Sequence, residues 1–174
     1  MALEPAFILM MAVSVVIGYL LGSINFGVVV SKGLYHEDVR MKGSGNAGTT
    51  NILRTYGKKA AALTLAGDMA KGAVAVWLCH WGVALLTGAD VNGVYAGYLA
   101  AIGAVCGHLW PVWFGFKGGK GIAVAAGAIL ASEPVVLLAL LVVFFAIALT
   151  TRIVSLASVT VAVLYPILTL LWSW

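Results

Sequence analysis

The sequence predicts an all-α, polytopic membrane protein, a bundle of transmembrane helices forming one domain over residues 1–174. Of the 174 residues 63% are hydrophobic and 9% are charged, and the mean hydropathy is +1.07. Soluble domains carry about a quarter of their residues as charges, so this chain has too little polar surface for a water-soluble globule. The apolar runs are continuous and lack the alternation of membrane β-strands, which favours helices. The length allows at most about seven or eight spans and leaves no room for a soluble partner domain.

Charge and cysteine content exclude several classes of function. The net charge of +4 would suggest nucleic acid in a soluble protein, but in a membrane protein it fits basic inward loops facing anionic lipid. We expect the bilayer as a partner and no nucleic acid. Cys79 and Cys106 lie in apolar stretches without the spacing of metal ligands, so neither a disulfide nor a metal is predicted, and no cofactor. Residues 1–5 lack the basic region of a signal peptide, which makes the first apolar run a permanent span.

Six spans are predicted. The first three are expected over Ala6 to about Val30, Ala60 to Leu86, and Gly93 to about Phe114. The last three are expected over Ile122 to Ala131, Val135 to Thr151, and Ile153 to Trp174. The fourth run has only about ten to thirteen residues, which is short for a full crossing. Its helix is therefore expected to begin inside the glycine-rich segment that precedes it.

The distribution of basic residues predicts the orientation. Inward loops of membrane proteins collect Lys and Arg. Six of the ten basic residues lie between Ser31 and Lys59, whereas the connections around Asp90 and Glu133 carry only acids. This pattern places the N-terminus outside and the glycine-rich segments on the cytoplasmic side.

The segment over residues 40–54 is a candidate phosphate site. Glycines let backbone N–H groups converge on an anion, small polar side chains add donors, and Arg supplies a bidentate fork. A helix expected to start near Thr49 or Thr50 directs its positive end at the same place. The alternative is a flexible, solvated loop. The candidate residues in this segment are Arg40, Gly43, Ser44, Gly45, Asn46, Gly48, Thr50, Asn51 and Arg54.

A second candidate lies between Gly107 and Gly121. Its Gly-Gly-Lys-Gly run resembles a P-loop only superficially, because Phe114 and Gly121 stand where a Walker A motif needs Gly and Ser or Thr. Nucleotide hydrolysis is therefore not expected. Lys120, at a glycine turn that starts a helix, is suited to binding an anion. The candidate residues here are His108, Lys117, Gly118, Gly119 and Lys120.

Several polar side chains lie within the predicted spans, and each has both a functional and a structural interpretation. Asp68 and Lys71 are three residues apart, so they share a helix face and can pair, either in a site or as an interior staple. Ser23, near the inner end of span one, is open to the same two interpretations. Its depth in the membrane, level with both glycine-rich segments, favours a functional role. His108 is either a functional group or a helix-packing donor. Together these polar groups suit a phosphorylated substrate close to the lipid plane.

The motifs resemble those of the PlsY family, the integral-membrane acyl-phosphate:glycerol-3-phosphate acyltransferases of bacteria. The matching segments are Gly22-Ser23-Ile24, Asp38-Val39-Arg40, Gly43-Ser44-Gly45-Asn46 with Gly48 and Thr50-Asn51, Asp68 with Lys71-Gly72, Gly107-His108 with Pro111, Phe116 to Gly121, and Ser155-Leu156-Ala157-Ser158. The resemblance implies transfer of a fatty acyl group from acyl phosphate to the 1-hydroxyl of sn-glycerol 3-phosphate, giving lysophosphatidic acid and phosphate. It further implies a multi-pass protein of the bacterial inner membrane, with a cytoplasmic active site and an acyl-phosphate-forming enzyme as a partner.

The resemblance also implies roles for individual residues. Ser23 and Arg40 would be essential, His108 and Lys120 would line the site, and the segment from Gly43 to Asn51 would bind phosphate. Asp68, Lys71, Ser155 and Ser158 would support the site. Two mechanisms stay open at this stage. In one, acyl transfer is direct and a substrate phosphate oxygen takes the proton; in the other, His108 is the general base.

Two departures from the family pattern qualify these expectations. Asn25 stands where the family usually has proline. The family also continues through another span to a cytoplasmic motif with His, Asn, Arg and Glu, whereas this chain ends at Trp174, which leaves a truncated sequence or an inactive short form as alternatives. The rival from another class is a small transporter or channel for an anionic phosphorylated solute. A third alternative is a non-catalytic membrane scaffold.

Overall fold

A computed structural model of the protein describes residues 4–172, which contain helices, turns and loops and no β-strand. The all-α prediction is confirmed. The helices are α1 (Pro5–Gly22), α2 (Phe26–Tyr35), α3 (Thr49–Tyr56), α4 (Lys58–Thr87), α5 (Asp90–Leu109), α6 (Ile122–Ser132), α7 (Pro134–Thr151) and α8 (Val154–Trp172). Two short 3₁₀ turns, Val39–Met41 and Val112–Phe114, lie in the polar segments.

Five stretches of the described chain are long and apolar enough to cross a bilayer. They are Pro5–Tyr35, Lys58–Thr87, Asp90–Phe114, Pro134–Thr151 and Val154–Trp172. The predicted fourth span corresponds to α6, which has 11 residues and, at 1.5 Å per residue, covers roughly 16 Å of a hydrocarbon layer about 30 Å thick. The number of crossings and the side of the N-terminus stay predictions.

The expectation that the α6 helix begins inside the glycine-rich segment is wrong. The helix begins at Ile122, directly after Gly121, whose φ is +80°. The preceding Gly118 and Gly119 use their N–H groups on carbonyl oxygens at the end of α5. The positive φ of Gly121 is incompatible with the right-handed helical backbone, so the helix cannot extend backwards past this residue.

The first predicted span is broken between α1 and α2. Asn25 is extended, with φ −87° and ψ 102°, and its side chain accepts a hydrogen bond from the Val28 N–H at 3.3 Å. It therefore caps α2 in the way that Asn commonly caps a helix. The break leaves polar backbone groups near the inner end of the span, where the site is expected.

Residues up to Ala128 form one compact unit, in which α5 packs against α1 and α4. Small residues four apart lie at the α1–α5 contact, as the sequence predicts, and they are Gly18, Gly22, Gly103 and Gly107. A Cβ added at any of the four would collide with a backbone carbonyl oxygen of the facing helix. The missing side chains thus allow the close backbone approach that membrane helices use, and this approach fixes the end of α5 next to the break in span one.

Residues from Ile129 onwards form a second unit, in which α7 packs against α8. The Glu133 carboxylate accepts hydrogen bonds from the Tyr165 hydroxyl at 3.3 Å and the Thr169 hydroxyl at 2.7 Å. Ser155 is exposed, and the Ser158 hydroxyl donates to its own helix at Val154 O, 2.9 Å away. The supporting role of both serines stays a prediction, as does the assignment of the whole chain to one domain.

Candidate functional site

The first glycine-rich segment is folded around the side chain of Asn51, which is 3% exposed. Its Oδ1 accepts a hydrogen bond from the Ser44 N–H at 3.0 Å. Its Nδ2 donates, over 2.9 to 3.2 Å, to the backbone oxygens of Val39, Lys42 and Asn46. Four hydrogen bonds to one side chain therefore hold the segment in a defined conformation, which differs from the alternative of a flexible, solvated loop. The Asn51 amide holds the loop's shape and has no donor left for a substrate.

The start of α3 completes this loop. The helix begins at Thr49 behind Gly48, as predicted, and the Gly48 N–H donates to the Asn46 side-chain oxygen at 2.9 Å. Gly43 has a φ of +55°, and a Cβ there would collide with the Asn51 oxygen, so glycine is required. Among the predicted phosphate-binding residues of this segment, Ser44, Thr50 and Arg54 have exposed side chains.

Arg40 joins this loop to the second glycine-rich segment. Its Nε and Nη2 donate to the two Asp38 carboxylate oxygens at 3.0 and 2.8 Å. Its Nη1 donates to Phe114 O at 2.5 Å and to Lys117 O at 3.0 Å. Four of the five guanidinium N–H groups are thus used, and one on Nη2 has no protein partner among residues 4–172. The guanidinium is fixed in place with one donor available.

The Arg40–Asp38 pair is electrostatically tight. Hydrogen bonds from the Arg40 guanidinium and backbone N–H, together with its charge, lower the pKa of Asp38 to about 2. The same bonds raise the pKa of Arg40 above its ordinary value. Asp38 is therefore ionised throughout the physiological range, and Arg40 stays cationic.

The second segment folds back onto the end of α5. The Gly118 N–H donates to Leu109 O at 3.2 Å, and the Gly119 N–H donates to His108 O at 3.1 Å. Both N–H groups are therefore used within the protein itself. What the two glycines contribute is a missing side chain, because a Cβ on Gly119 would collide with His108 Nε2 and one on Gly118 with His108 O. A place for either glycine in a substrate pocket stays a prediction.

Lys117 and Lys120 carry the free positive charge of this segment. Both are exposed, and neither ammonium group has an ion pair or hydrogen bond within the described part of the chain. Lys120 stands one residue before Gly121, which precedes the first residue of α6, so the sequence correctly predicts a lysine at a glycine turn that starts a helix. Two cations are thus available to an anionic ligand.

Beneath the segment lies a buried group of three ionisable side chains: Asp68, Lys71 and His108. Lys71 Nζ is 2.9 Å from Asp68 Oδ1, which confirms the predicted pair. The same Nζ is 2.9 Å from His108 Nδ1 and 2.6 Å from Ile24 O, at the break in span one. The side chains of Asp68, Lys71 and His108 are 1 to 3% exposed. Sequence reasoning did not connect His108 with the pair, although all three are ionisable groups inside apolar runs.

Ser23 ties the break in span one to the second segment. It is 0% exposed, its hydroxyl donates to Tyr19 O at 2.8 Å, and the hydroxyl oxygen accepts from the Val112 N–H at 3.4 Å. Beside it lies an open, apolar surface groove of about 460 Å³. The groove is lined by Leu20, Leu21, Ile24, Trp113 and Phe114. Of the four predicted catalytic residues, Ser23 and Arg40 thus contact the segment between residues 108 and 121, and His108 and Lys120 belong to it.

Comparison with known proteins gives consistent matches over nearly the whole chain. The family described as glycerol-3-phosphate acyltransferase matches residues 12–174. A glycerol-3-phosphate acyltransferase of Clostridioides difficile is 46% identical over 83% of this chain and 69% of its own length. One of Neisseria meningitidis serogroup C is 43% identical over 92% of this chain and 82% of its own length.

Solved structures agree with these matches. The chain superposes with a TM-score of 0.80 and 37% identity on a crystal structure of PlsY (YgiH), an integral membrane glycerol 3-phosphate acyltransferase, in its glycerol 3-phosphate form. The match covers 92% of this chain and 76% of the other. The lysophosphatidic acid form gives a TM-score of 0.77 and 35% identity over the same shares of the two chains.

Proposed function

The chain belongs to the glycerol-3-phosphate acyltransferase family, and we propose that it transfers a fatty acyl group from acyl phosphate to the 1-hydroxyl of sn-glycerol 3-phosphate. The products are lysophosphatidic acid and inorganic phosphate. The acylation of glycerol 3-phosphate rests on the family, and the use of acyl phosphate as donor rests on the chemistry of the site.

The observation that carries the proposal is the position of Arg40 between the two polar loops. Its guanidinium holds the carbonyl oxygens of Phe114 and Lys117 and keeps one N–H available. The exposed ammonium group of Lys117 belongs to the same loop. Phosphate groups are bound best by an oriented Arg fork with added point charges, so this junction suits a phosphorylated substrate.

An acyl phosphate combines an apolar tail with an anionic head, and the site offers both environments side by side. The open apolar groove is partly lined by Phe114, the residue whose carbonyl oxygen accepts from Arg40. An acyl chain lying in this groove would bring its activated carboxyl group towards the Arg40 guanidinium. This arrangement supports acyl phosphate over a donor without a phosphate on the acyl group.

The proposed reaction is a direct transfer. The glycerol hydroxyl attacks the acyl carbonyl carbon, the new ester C–O bond forms, and the bond to the phosphate oxygen breaks. A substrate phosphate oxygen takes the hydroxyl proton, while cationic side chains stabilise the departing phosphate. Ser23 is buried with its hydroxyl donated to Tyr19 O, which supports a positioning role for it and argues against an acyl-serine intermediate.

We further propose that this site faces the cytoplasm at the bacterial inner membrane. The basic residues between Ser31 and Lys59 support that orientation through the tendency of inward loops to be positive. An enzyme that forms acyl phosphate would then be a partner on the same side.

A donor comparison tests the proposal. The purified protein, reconstituted in bilayers, is given labelled glycerol 3-phosphate with either acyl phosphate or an acyl thioester. We expect labelled lysophosphatidic acid with acyl phosphate. Product from the thioester alone would overturn the donor assignment. Uptake of labelled glycerol 3-phosphate into the vesicles without any product would favour the transporter.

A further inference from the structure

The buried Lys71 ammonium has all of its hydrogen-bonding capacity committed. An ammonium group has three N–H donors and no acceptor. Three acceptors surround Lys71 Nζ: Asp68 Oδ1 at 2.9 Å, Ile24 O at 2.6 Å and His108 Nδ1 at 2.9 Å. Lys71 therefore has no donor left for a substrate, and what it can still influence is the histidine ring.

The contact with Lys71 selects one protonation form of His108. A nitrogen that accepts a hydrogen bond carries no proton, so Nδ1 is bare and the ring proton of the neutral imidazole is on Nε2. The imidazolium form would place an N–H of Nδ1 against the ammonium group, with two donors and two positive charges facing each other. Next to a charged Lys71 ammonium, this contact disfavours both forms that carry a proton on Nδ1.

Asp68 alone would have the opposite effect. Its Oδ1 is 3.5 Å from His108 Nδ1, and a carboxylate beside Nδ1 favours a proton there, which leaves Nε2 as a base. Lys71 is closer to Nδ1, at 2.9 Å, and also pairs with the same carboxylate oxygen. The lysine therefore reverses the tautomer that the aspartate would select.

The free ring nitrogen faces the second glycine-rich segment. Nε2 lies so close to the Cα of Gly119 that a Cβ there would collide with it. No protein acceptor for Nε2 is present within residues 4–172. The remaining N–H of the histidine is thus directed at the backbone between the exposed Lys117 and Lys120.

We propose that Lys71 is a positioning residue that holds His108 as the Nε2–H tautomer, so that the ring donates a hydrogen bond to a phosphate oxygen of a substrate. His108 is then a donor to the substrate, and the general-base alternative loses its acceptor. The identity of the substrate in this inference rests on the proposed function. The tautomer of His108 can be measured without turnover.

Nitrogen NMR on the intact protein tests the tautomer. The chain is labelled with ¹⁵N,¹³C-histidine and reconstituted in bilayers, and the signals of His108 are assigned by removing the other two histidines in turn, with His36→Gln and His80→Gln. Correlations to the ring carbons distinguish Nδ1 from Nε2. We expect an unprotonated Nδ1 and a protonated Nε2 at neutral pH. A protonated Nδ1, alone or together with Nε2, would overturn the proposal.

Two sets of variants test the consequence for catalysis. In Lys71→Met we expect the ring proton to shift to Nδ1, facing Asp68, and kcat/KM to fall by about 10-fold or more, because a hydrogen bond to a charged group is lost. The matched control is Lys59→Met, an exposed lysine at the start of α4, which should leave kcat/KM unchanged. An unchanged tautomer in a folded Lys71→Met protein would overturn the positioning role.

Substitution of the histidine itself separates donor from base. His108→Gln keeps an N–H donor and should retain kcat/KM within about tenfold, whereas His108→Leu should lose about 100-fold. Equal, complete loss in both variants would mean that the ring acts as a base. If the NMR result is as expected but the protein forms no lysophosphatidic acid, the proposed function fails while the tautomer assignment stands.

Discussion

Arg40→Lys is the substitution that separates charge from geometry at the junction of the two loops. Lysine keeps one positive charge but has a single, flexible donor group in place of a planar fork. It can pair with the Asp38 carboxylate, but it cannot also reach both carbonyl oxygens, Phe114 O and Lys117 O, that Arg40 holds at 2.5 and 3.0 Å. The second loop is then no longer fixed relative to the first.

The size of the effect follows from the bonds that are lost. Each hydrogen bond from a charged donor contributes about 1.5 to 3 kcal/mol, so two lost bonds between the loops cost roughly 3 kcal/mol or more. If these bonds position the reacting groups, kcat/KM falls by about 100-fold or more. The free energy of unfolding should fall by less, since water can replace part of the bonding at this position, where the Arg40 side chain is 20% exposed.

The assay measures kcat/KM for acyl phosphate and glycerol 3-phosphate, together with thermal unfolding, on the reconstituted protein. Arg152→Lys is the matched control, because Arg152 is exposed and lies at the end of α7 in the second unit, and it should keep wild-type kcat/KM. An Arg40→Lys protein that stays within threefold of wild type would refute the role assigned to the fork.

Three further results are expected. The pKa of Asp38 is lowered to about 2 from 3.8 in the folded protein, so the contribution of ionised Asp38 to the free energy of unfolding is fully present above pH 4 and is lost as the pH falls towards 2. Chemical unfolding should show this loss as about 1 to 2 kcal/mol after screening by solvent. An Asp38→Asn protein with the same acid sensitivity would contradict this. Gly119→Ala should abolish activity, because a Cβ at this position collides with His108 Nε2. The control is Gly33→Ala, where the added Cβ lies in open space on α2. This variant should preserve activity and stabilise the folded protein by up to about 1 kcal/mol. Asn51→Ala removes the amide that shapes the first loop. It should raise the KM for glycerol 3-phosphate about tenfold or more while the helix content stays similar. An unchanged KM would mean that the loop does not bind this substrate.

The sequence predicts the helices well because the length of each apolar run and the position of the glycines that bound it are local properties. The span expected over Ala60 to Leu86 is observed as Lys58–Thr87, and the helix expected near Thr49 or Thr50 begins at Thr49. The pairing of Asp68 with Lys71 is likewise local, since three residues separate them on one helix face.

What the sequence does not predict depends on how helices align with each other. His108 is on α5 and Lys71 on α4, and their contact requires the register between helices, which glycine packing sets only in three dimensions. Backbone hydrogen bonds in loops are equally non-local. The N–H groups of Gly118 and Gly119 are used by the end of α5, so a glycine-rich pattern that is typical of anion binding here brings a backbone close to a histidine ring.

The most direct test of direct acyl transfer is the stoichiometry of phosphate release. The reconstituted protein is mixed with acyl phosphate in a rapid-quench apparatus, first without and then with labelled glycerol 3-phosphate. We predict no burst of phosphate in the absence of the acceptor, and one lysophosphatidic acid formed per phosphate released in its presence. A burst equal to the amount of protein without the acceptor would reveal an acyl-enzyme and contradict direct transfer at this site.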